Sequence, residues 1–438
     1  MTDPKATMAR ALHRREVMMM GLIAGLGAAA MPRFALAAQA RPELMPRVRE
    51  VIERWVGPGK FPGMVAALGL SGRDPEFVAR GTEGFTDADS QGPDSLYRIY
   101  SMTKPVTGMA AMLLIDEGKM GLDQPLAEIL PAFAQMQVQK TYDGSLTDLV
   151  PAERPITIRH LVTHTAGLGY TIIQRGPIKA AMENAGVIAG QISRKSIPGL
   201  DRGKPVPSLA LFADRLATFP LVYQPGTKWS YSVGLDLMGR VIEVVAGQPF
   251  DVFLKERLFD PAGMASTWFE VPDRQARRLT TNYGAIAGTL VPIDEGANSI
   301  YLDPPPFPFG GAGLVSSPRD YDRFLRMLGQ FGEIGGRRVM SERAVRMGTS
   351  NLLPPGVEGP ALMAPKSDFG AGGRVGIGPE AGIFGWAGAA GTVGTVDMNR
   401  ALRSGVYVQF MPPNANALLP EYQKALQADV MALLARTG

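Results

Sequence analysis

The alternation of apolar and polar positions divides the chain into strand-forming ends and a helix-forming middle. In ELMPRVREVIERWVG (43–57), Leu44, Val48, Val51, Ile52 and Trp55 recur at helical spacing and predict an opening amphipathic helix. MVAALGLSG and FVARGTEGFTD follow. They are β-rich runs with a polar, glycine-containing connection, which predicts an antiparallel pair. From Lys104 to about Ala265 the period is mainly helical, broken by a Pro/Gly-rich stretch near 186–208. Strands then return, with IFGWAGAAGTVGTVDMN and SGVYVQFMP flanking a short turn at Asn399–Leu402. ALLPEYQKALQADVMALLART closes the chain as an amphipathic helix.

Strands at both ends with helices between predict an α+β fold. The simplest assembly is one antiparallel sheet drawn from both termini, flanked by the first and last helices, with a mainly helical unit inserted. On this reading 41–103 and 300–438 build the sheet domain and 104–299 the helical domain. A chain of 438 residues suits two units sharing one body. No internal repeat is present. DPPPFPFGGAG (303–313) is a proline-rich loop, whose Phe307 and Phe309 either line a pocket or cap a core.

The stretch YRIYSMTKPVTGMAAMLLIDEGKM (97–120) carries the first candidate chemistry. S-x-x-K alone is weak, since 18 serines and 12 lysines in 438 positions lead to roughly 0.5 chance occurrences. Context adds weight. Pro105 is tolerable only near a helix start, which places Ser101 in the first turn and Lys104 on the same face. Lys104 is followed on that side by Val106, Met109, Ala110, Met112 and Leu113, so it heads for the interior rather than for solvent. Burial and the positive helix end both disfavour its charge. To act as a base near neutral pH the amine must drop ~3 units from ~10.4, at about 4 kcal/mol.

The formal charge of +4 and pI near 9.2 hint at a polyanion partner, but the first forty residues supply the excess. They hold Lys5, Arg10, Arg14, Arg15 and Arg33 against Asp3 and Glu16. The remaining body is nearly neutral, which argues against nucleic acid. HRREVMMMGLIAGLGAAA sets Arg14-Arg15 before an uncharged run, and small residues in ALAAQA follow. That order resembles a twin-arginine secretory signal over 1–40, cleaved after Ala37 or Ala40. The run is too short to cross ~30 Å of hydrocarbon. A periplasmic or secreted enzyme follows, with no stable membrane association once the leader is removed. Zero cysteines exclude thiol catalysis and cysteine metal sites.

Two further motifs stand in order behind the first. PGTKWSYSVGLDLMGRVIEVVAG (225–247) sets Tyr231-Ser232-Val233 before a helix, and GIFGWAGAAGT (382–392) sets Trp386-Ala387-Gly388 on a strand. Ser-x-x-Lys, Tyr-Ser-x and Trp-x-Gly at these separations resemble the serine β-lactamase and penicillin-binding-protein superfamily, most of all its family VIII carboxylesterases. RPITIRHLVTHTAGLGY (154–170) and GGAGLVSSPRDYDRFLRML (310–328) support the likeness, which covers about 45–430. It implies a β-lactamase/transpeptidase-like fold. It also implies Ser101 as nucleophile, Lys104 as general base and Tyr231 as partner in proton transfer to the leaving group. The backbone N–H groups of Ser101 and Ala389 would form the oxyanion hole. Gly388 would let substrate approach the strand closely.

Two departures bear on substrate. Lactamases and transpeptidases carry an amide side chain three into the tyrosine motif and a lysine opening the strand triplet. Here Val233 and Trp386 stand in those places, and an apolar wall without a cation suits a small neutral ester. A β-lactamase, a D-amino-acid peptidase or transpeptidase, an acyltransferase and a sensor that acylates once are the alternatives. Tyr170 lines the site or packs. His160 and His164, spaced i, i+4, lack the glutamate of zinc proteases and a third ligand, so no metal and no cofactor is expected. His164 is expected to hydrogen-bond within its own HTAGL turn. No G-x-S-x-G occurs, and SSPRD (316–320) reads as a helix start capped by Ser317.

Overall fold

The computed structural model describes residues 43–197, 200, 203–286, 288–360 and 367–437; the leader expected over 1–40 lies outside them. Eight strands form the principal sheet: β1 (Gly63–Leu70), β2 (Glu76–Gly84), β3 (Asp87–Ser90), β4 (Asp368–Phe369), β5 (Arg374–Val375), β6 (Ile383–Ala387), β7 (Val393–Asp397) and β8 (Leu402–Tyr407). Their order is β4-β5-β6-β7-β8-β1-β2-β3, and all neighbours are antiparallel. The two ends of the chain join where Val65 pairs with Tyr407 and Leu70 with Leu402.

Six helices matter for the site: α1 (Pro46–Trp55), α2 (Thr103–Asp116), α3 (Ile158–Val162), α4 (Gly234–Ala246), α5 (Pro318–Gly329) and α6 (Leu418–Thr437). The period-2 pattern of β1 explains the layers. Met64, Ala66 and Leu68 join Val48 and Ile52 of α1 and Leu418 and Tyr422 of α6, whereas Val65 points into the main core with α2 and α5. Asp429 of α6 caps α1, accepting the backbone N–H groups of Arg47 and Val48. On the opposite face Asp322 of α5 accepts from Arg403 Nε of β8 at 2.6 Å, a buried ion pair that ties helix to sheet.

The Asn282–Ile286 and Thr289–Asp294 hairpin lies past the helical stretch expected to end near Ala265, though within the 104–299 unit. The small Gln137–Gln139/Leu149–Pro151 pair falls inside that stretch. Between Glu117 and Thr157 the prolines at 125, 131, 151 and 155 deny a continuous helix. IFGWAGAAGTVGTVDMN is not one run but the β6–β7 hairpin, with Trp386 opposite Gly394. The expected turn at Asn399–Leu402 sits one residue earlier, because Leu402 already pairs. Residues Leu44–Gly438 form one compact unit, and the main core runs through both sheet and helices. Ser317 caps α5 by accepting the Asp320 N–H at 3.1 Å, as the SSPRD pattern predicts.

Every residue of α2 from Thr103 to Leu114 is buried, so this helix has no solvent face. TKPVTGMAAMLLID carries apolar residues all round, and such a helix belongs in the centre of a fold. Phe307 and Phe309 lie in the core, their rings 4.3 Å apart with Phe212 beside them, and therefore cap it.

Candidate active site

Ser101 is the middle residue of a single 3₁₀ turn, Tyr100–Met102, that feeds α2. Tyr100 holds a φ of 41°, a region costly for a bulky residue. The strain is held by the surroundings: Ile99 N–H bonds to Leu314 O at 3.0 Å, and Tyr321 Oη donates to Met102 O at 3.0 Å. The turn thereby aims the serine out of the helix start.

Lys104 Nζ donates to Ser101 Oγ at 3.2 Å and to Gly311 O at 2.7 Å. The lysine is wholly buried. Its ammonium lies over the faces of Tyr231 and Tyr170, 4.5 and 5.9 Å from the ring centres. The expected fall in its pKa does not occur. Burial pulls it down, but the Tyr231 and Tyr170 phenols and the Asp236 carboxylate outweigh that and hold it above its ordinary value. The ring faces favour the cation as well. The sequence displayed the apolar neighbours along α2 but not these groups, which arrive from distant elements.

Tyr231 precedes α4, and its Oη accepts the indole N–H of Trp386 on β6 at 3.1 Å. Trp386 is buried with Phe369 and Leu353. Gly388 follows at the end of that strand. A Cβ there would stand 2.4 Å from Ile99 O and 2.2 Å from Thr392 Oγ1, so only glycine lets the strand lie against the serine turn. Ala389 comes next, leading into the turn before β7. Val233, expected on the substrate wall, is 1% exposed and packs in the main core as the residue that starts α4. It presents no surface to a ligand in the free protein.

His164 departs from expectation. It reaches out of the HTAGL turn, Nδ1 lying 3.0 Å from Ser232 Oγ and accepting the Ser232 N–H at 3.3 Å. These bonds assign its proton to Nε2, which has no hydrogen-bond partner among the described residues, and the ring packs at an angle against those of Trp229, Tyr231 and Phe369. Burial, then the charge of Lys104, keep it well below the usual imidazole range, so it is neutral. His160 instead closes a capping box with Thr157. The two histidines thus serve different partners.

Two site groups escaped the sequence reading. Gly310 O accepts from Thr107 Oγ1 at 2.7 Å, and Gly311 N–H donates to Asp236 Oδ1 at 2.8 Å. Asp236 shares helical spacing with Arg240 and Glu243, so in sequence it reads as part of a polar stripe and its burial carried no signal. The assembled centre sets the Lys104 amine against both the Ser101 hydroxyl and the Tyr231 phenol, with an indole N–H on the phenol.

A family profile described as Beta-lactamase matches residues 48–429. An uncharacterized protein of Mycobacterium tuberculosis is 36% identical over 273 residues, 62% of this chain and 63% of its own length. Esterase EstB of Burkholderia gladioli is 30% identical over 283 residues, 60% of this chain and 66% of the relative. The chain thus spans somewhat less than two thirds of the length of these curated relatives. Among solved structures, EstCE1, described as a hydrolase with promiscuous acyltransferase activity, superposes with a TM-score of 0.71 at 25% identity. That likeness covers 87% of this chain and 97% of EstCE1.

Proposed function

The chain belongs to the beta-lactamase family, and from that premise we propose that it is a serine hydrolase cleaving small neutral carboxylic esters through an acyl-enzyme. The observation that carries this reading is the Lys104 amine 3.2 Å from Ser101 Oγ, packed on the face of Tyr231. Similarity to esterase EstB and to EstCE1 supports it.

The chemistry runs as an ordinary acyl transfer. Lys104 first releases a proton to solvent, since it rests as an ammonium. Ser101 Oγ then forms a bond to the ester carbon while its proton passes to the freed amine. The carbonyl electron pair moves onto the oxygen, which the N–H groups of Ser101 and Ala389 receive. Collapse breaks the bond to the alkoxide, which takes a proton from the Tyr231 phenol, and Lys104 restores that proton. Water repeats the sequence on the Ser101 ester and releases the acid.

Trp386 supports an ester rather than a lactam as substrate. It fills the place where lactam-acting relatives carry a lysine, and it spends its one N–H on Tyr231. Initial rates on a p-nitrophenyl ester series, beside nitrocefin, test the reading in the wild type and in Ser101→Ala. Ester turnover abolished by the substitution is expected. Faster hydrolysis of nitrocefin than of p-nitrophenyl butyrate would favour a β-lactamase, and retained activity would point to another nucleophile.

The description of EstCE1 favours a second reading, transfer of the acyl group to an added alcohol, visible as ester product. The Arg14-Arg15 leader supports export of the enzyme, which fractionation of the producing cell would test.

A further inference from the structure

We propose that Asp236 is a positioning residue for this acyl transfer: through Gly311 it holds the Lys104 amine against Ser101, and its negative charge keeps that amine protonated between turnovers. The inference rests on the ester-hydrolase reading of the same site.

The geometry is a bridge between two helices. Asp236 stands in the first turn of α4, wholly buried. The peptide linking Gly310 to Gly311 is gripped at both ends, its C=O by Thr107 of α2 and its N–H by Asp236 Oδ1. The next C=O, that of Gly311, takes the Lys104 ammonium. A displaced Asp236 would therefore release the acceptor that aims Lys104. A neutral side chain with one acceptor would suffice for that anchor alone.

The carboxylate brings more than an anchor. Its Oδ2 has no hydrogen-bond partner among the described residues, and a Cβ on Gly311 would stand 2.4 Å from it. Glycine leaves this charged oxygen room. Among the side chains of α2, α3 and the helices that pack on α4, the charge felt by Asp236 is that of Lys104. In return Asp236 is the carboxylate that acts on Lys104, whose other partners are the Tyr170 and Tyr231 phenols, with neutral His164 beside them. Burial raises the Asp236 carboxyl to about 6, and the Lys104 charge restrains it, so it is mostly ionised at pH 7. Ammonium and carboxylate thus form the resting state, from which Lys104 must lose a proton before it can take the one on Ser101.

The test is the pH profile of kcat/KM on a p-nitrophenyl ester for wild type, Asp236→Asn and Asp236→Ala. Asparagine keeps an acceptor for Gly311 and removes the charge. The midpoint of the alkaline rise should move down by at least one unit, a tenfold easier loss of the proton, with KM within about threefold. Alanine removes both functions, and kcat should fall on the order of 100-fold. An asparagine variant with the wild-type midpoint and kcat would overturn the proposal. A second measurement needs no Asp236 variant. In wild-type protein with ¹³C-labelled lysines, the Lys104 signal, identified by its loss in Lys104→Met, should remain that of an ammonium at pH 8. A neutral amine there would overturn the proposal even if the wild type hydrolysed no ester, a result that would instead sink the hydrolase reading.

Discussion

Trp386 Nε1 and Tyr231 Oη lie 3.1 Å apart, so segments separated by 155 residues meet on one phenol oxygen. The indole donates to the phenol oxygen and does not occupy its O–H. Trp386→Phe keeps the ring and deletes the N–H. A neutral hydrogen bond contributes about 0.5–1.5 kcal/mol, so kcat on p-nitrophenyl butyrate should fall roughly 2- to 10-fold. Equal loss across esters of every leaving-group acidity would count against Tyr231 as the proton donor.

Lys104 above its ordinary pKa makes the productive, deprotonated state scarce at neutral pH. That state grows tenfold per pH unit, so kcat/KM should still be climbing at pH 9. A plateau between pH 6 and 8 would contradict it. The stability sign follows from the same shift. A raised amine contributes stability that is complete below its unfolded value near ~10.4 and disappears as pH rises through the folded one. Thermal unfolding should therefore fall off faster above that range in wild type than in Lys104→Met.

That variant carries its own expectation. Methionine replaces a fully buried charge with an apolar chain of similar length. Hydrolysis should drop by about 10³-fold or more, and the Tm at pH 7 should fall, because Asp236 and the Gly311 carbonyl lose their buried partner. An unchanged Tm would mean that the pairing of Lys104 with Asp236 contributes no stability.

Gly388→Ala would press a methyl group into Ile99 O and Thr392 Oγ1. The strand end must then move away from the serine turn, carrying Ala389 with it. Esterase kcat should fall by roughly 10²-fold, the scale of a lost oxyanion contact, with KM changed much less. Activity within twofold of wild type would show that Ala389 is not part of that contact.

Glu83 offers a check away from the reaction centre. Burial raises its carboxyl to about 8, the Ser95 hydroxyl pulls it down, and Asp87 and Asp89 push it up. For a raised carboxyl the stabilisation is complete below the unfolded value, near ~4.3, and is lost as pH climbs toward about 8. Glu83→Gln escapes that loss. Its Tm relative to wild type should grow between pH 5 and 8, and a constant difference would refute the assignment.

The legible parts of this molecule were those written in local pattern. The period-2 runs of β1, β2 and β8, the apolar stripe of α1 and the Ser317 cap follow from neighbours in sequence. Ser101 and Lys104 were readable because one helix turn joins them. The electrostatics were not. The direction of the Lys104 shift depends on Tyr170, Tyr231 and Asp236, which only the packed fold brings to the amine. Val233 illustrates the converse, since its motif position suggests a wall while its side chain turns into the core. His164 looked like a turn residue because its Ser232 partner lies 68 positions away.

The pairing of residues 65–70 with 402–407 has a consequence for how the protein comes into being. The loop between these strands must close before either is fully paired, and such distant contacts slow folding. The hydroxyl and amine leave the ribosome well before the indole and glycine that complete their surroundings, which lie about 280 residues further along the chain. A nascent chain therefore carries a silent nucleophile, and shortening the carboxyl-terminal strands should silence it for good.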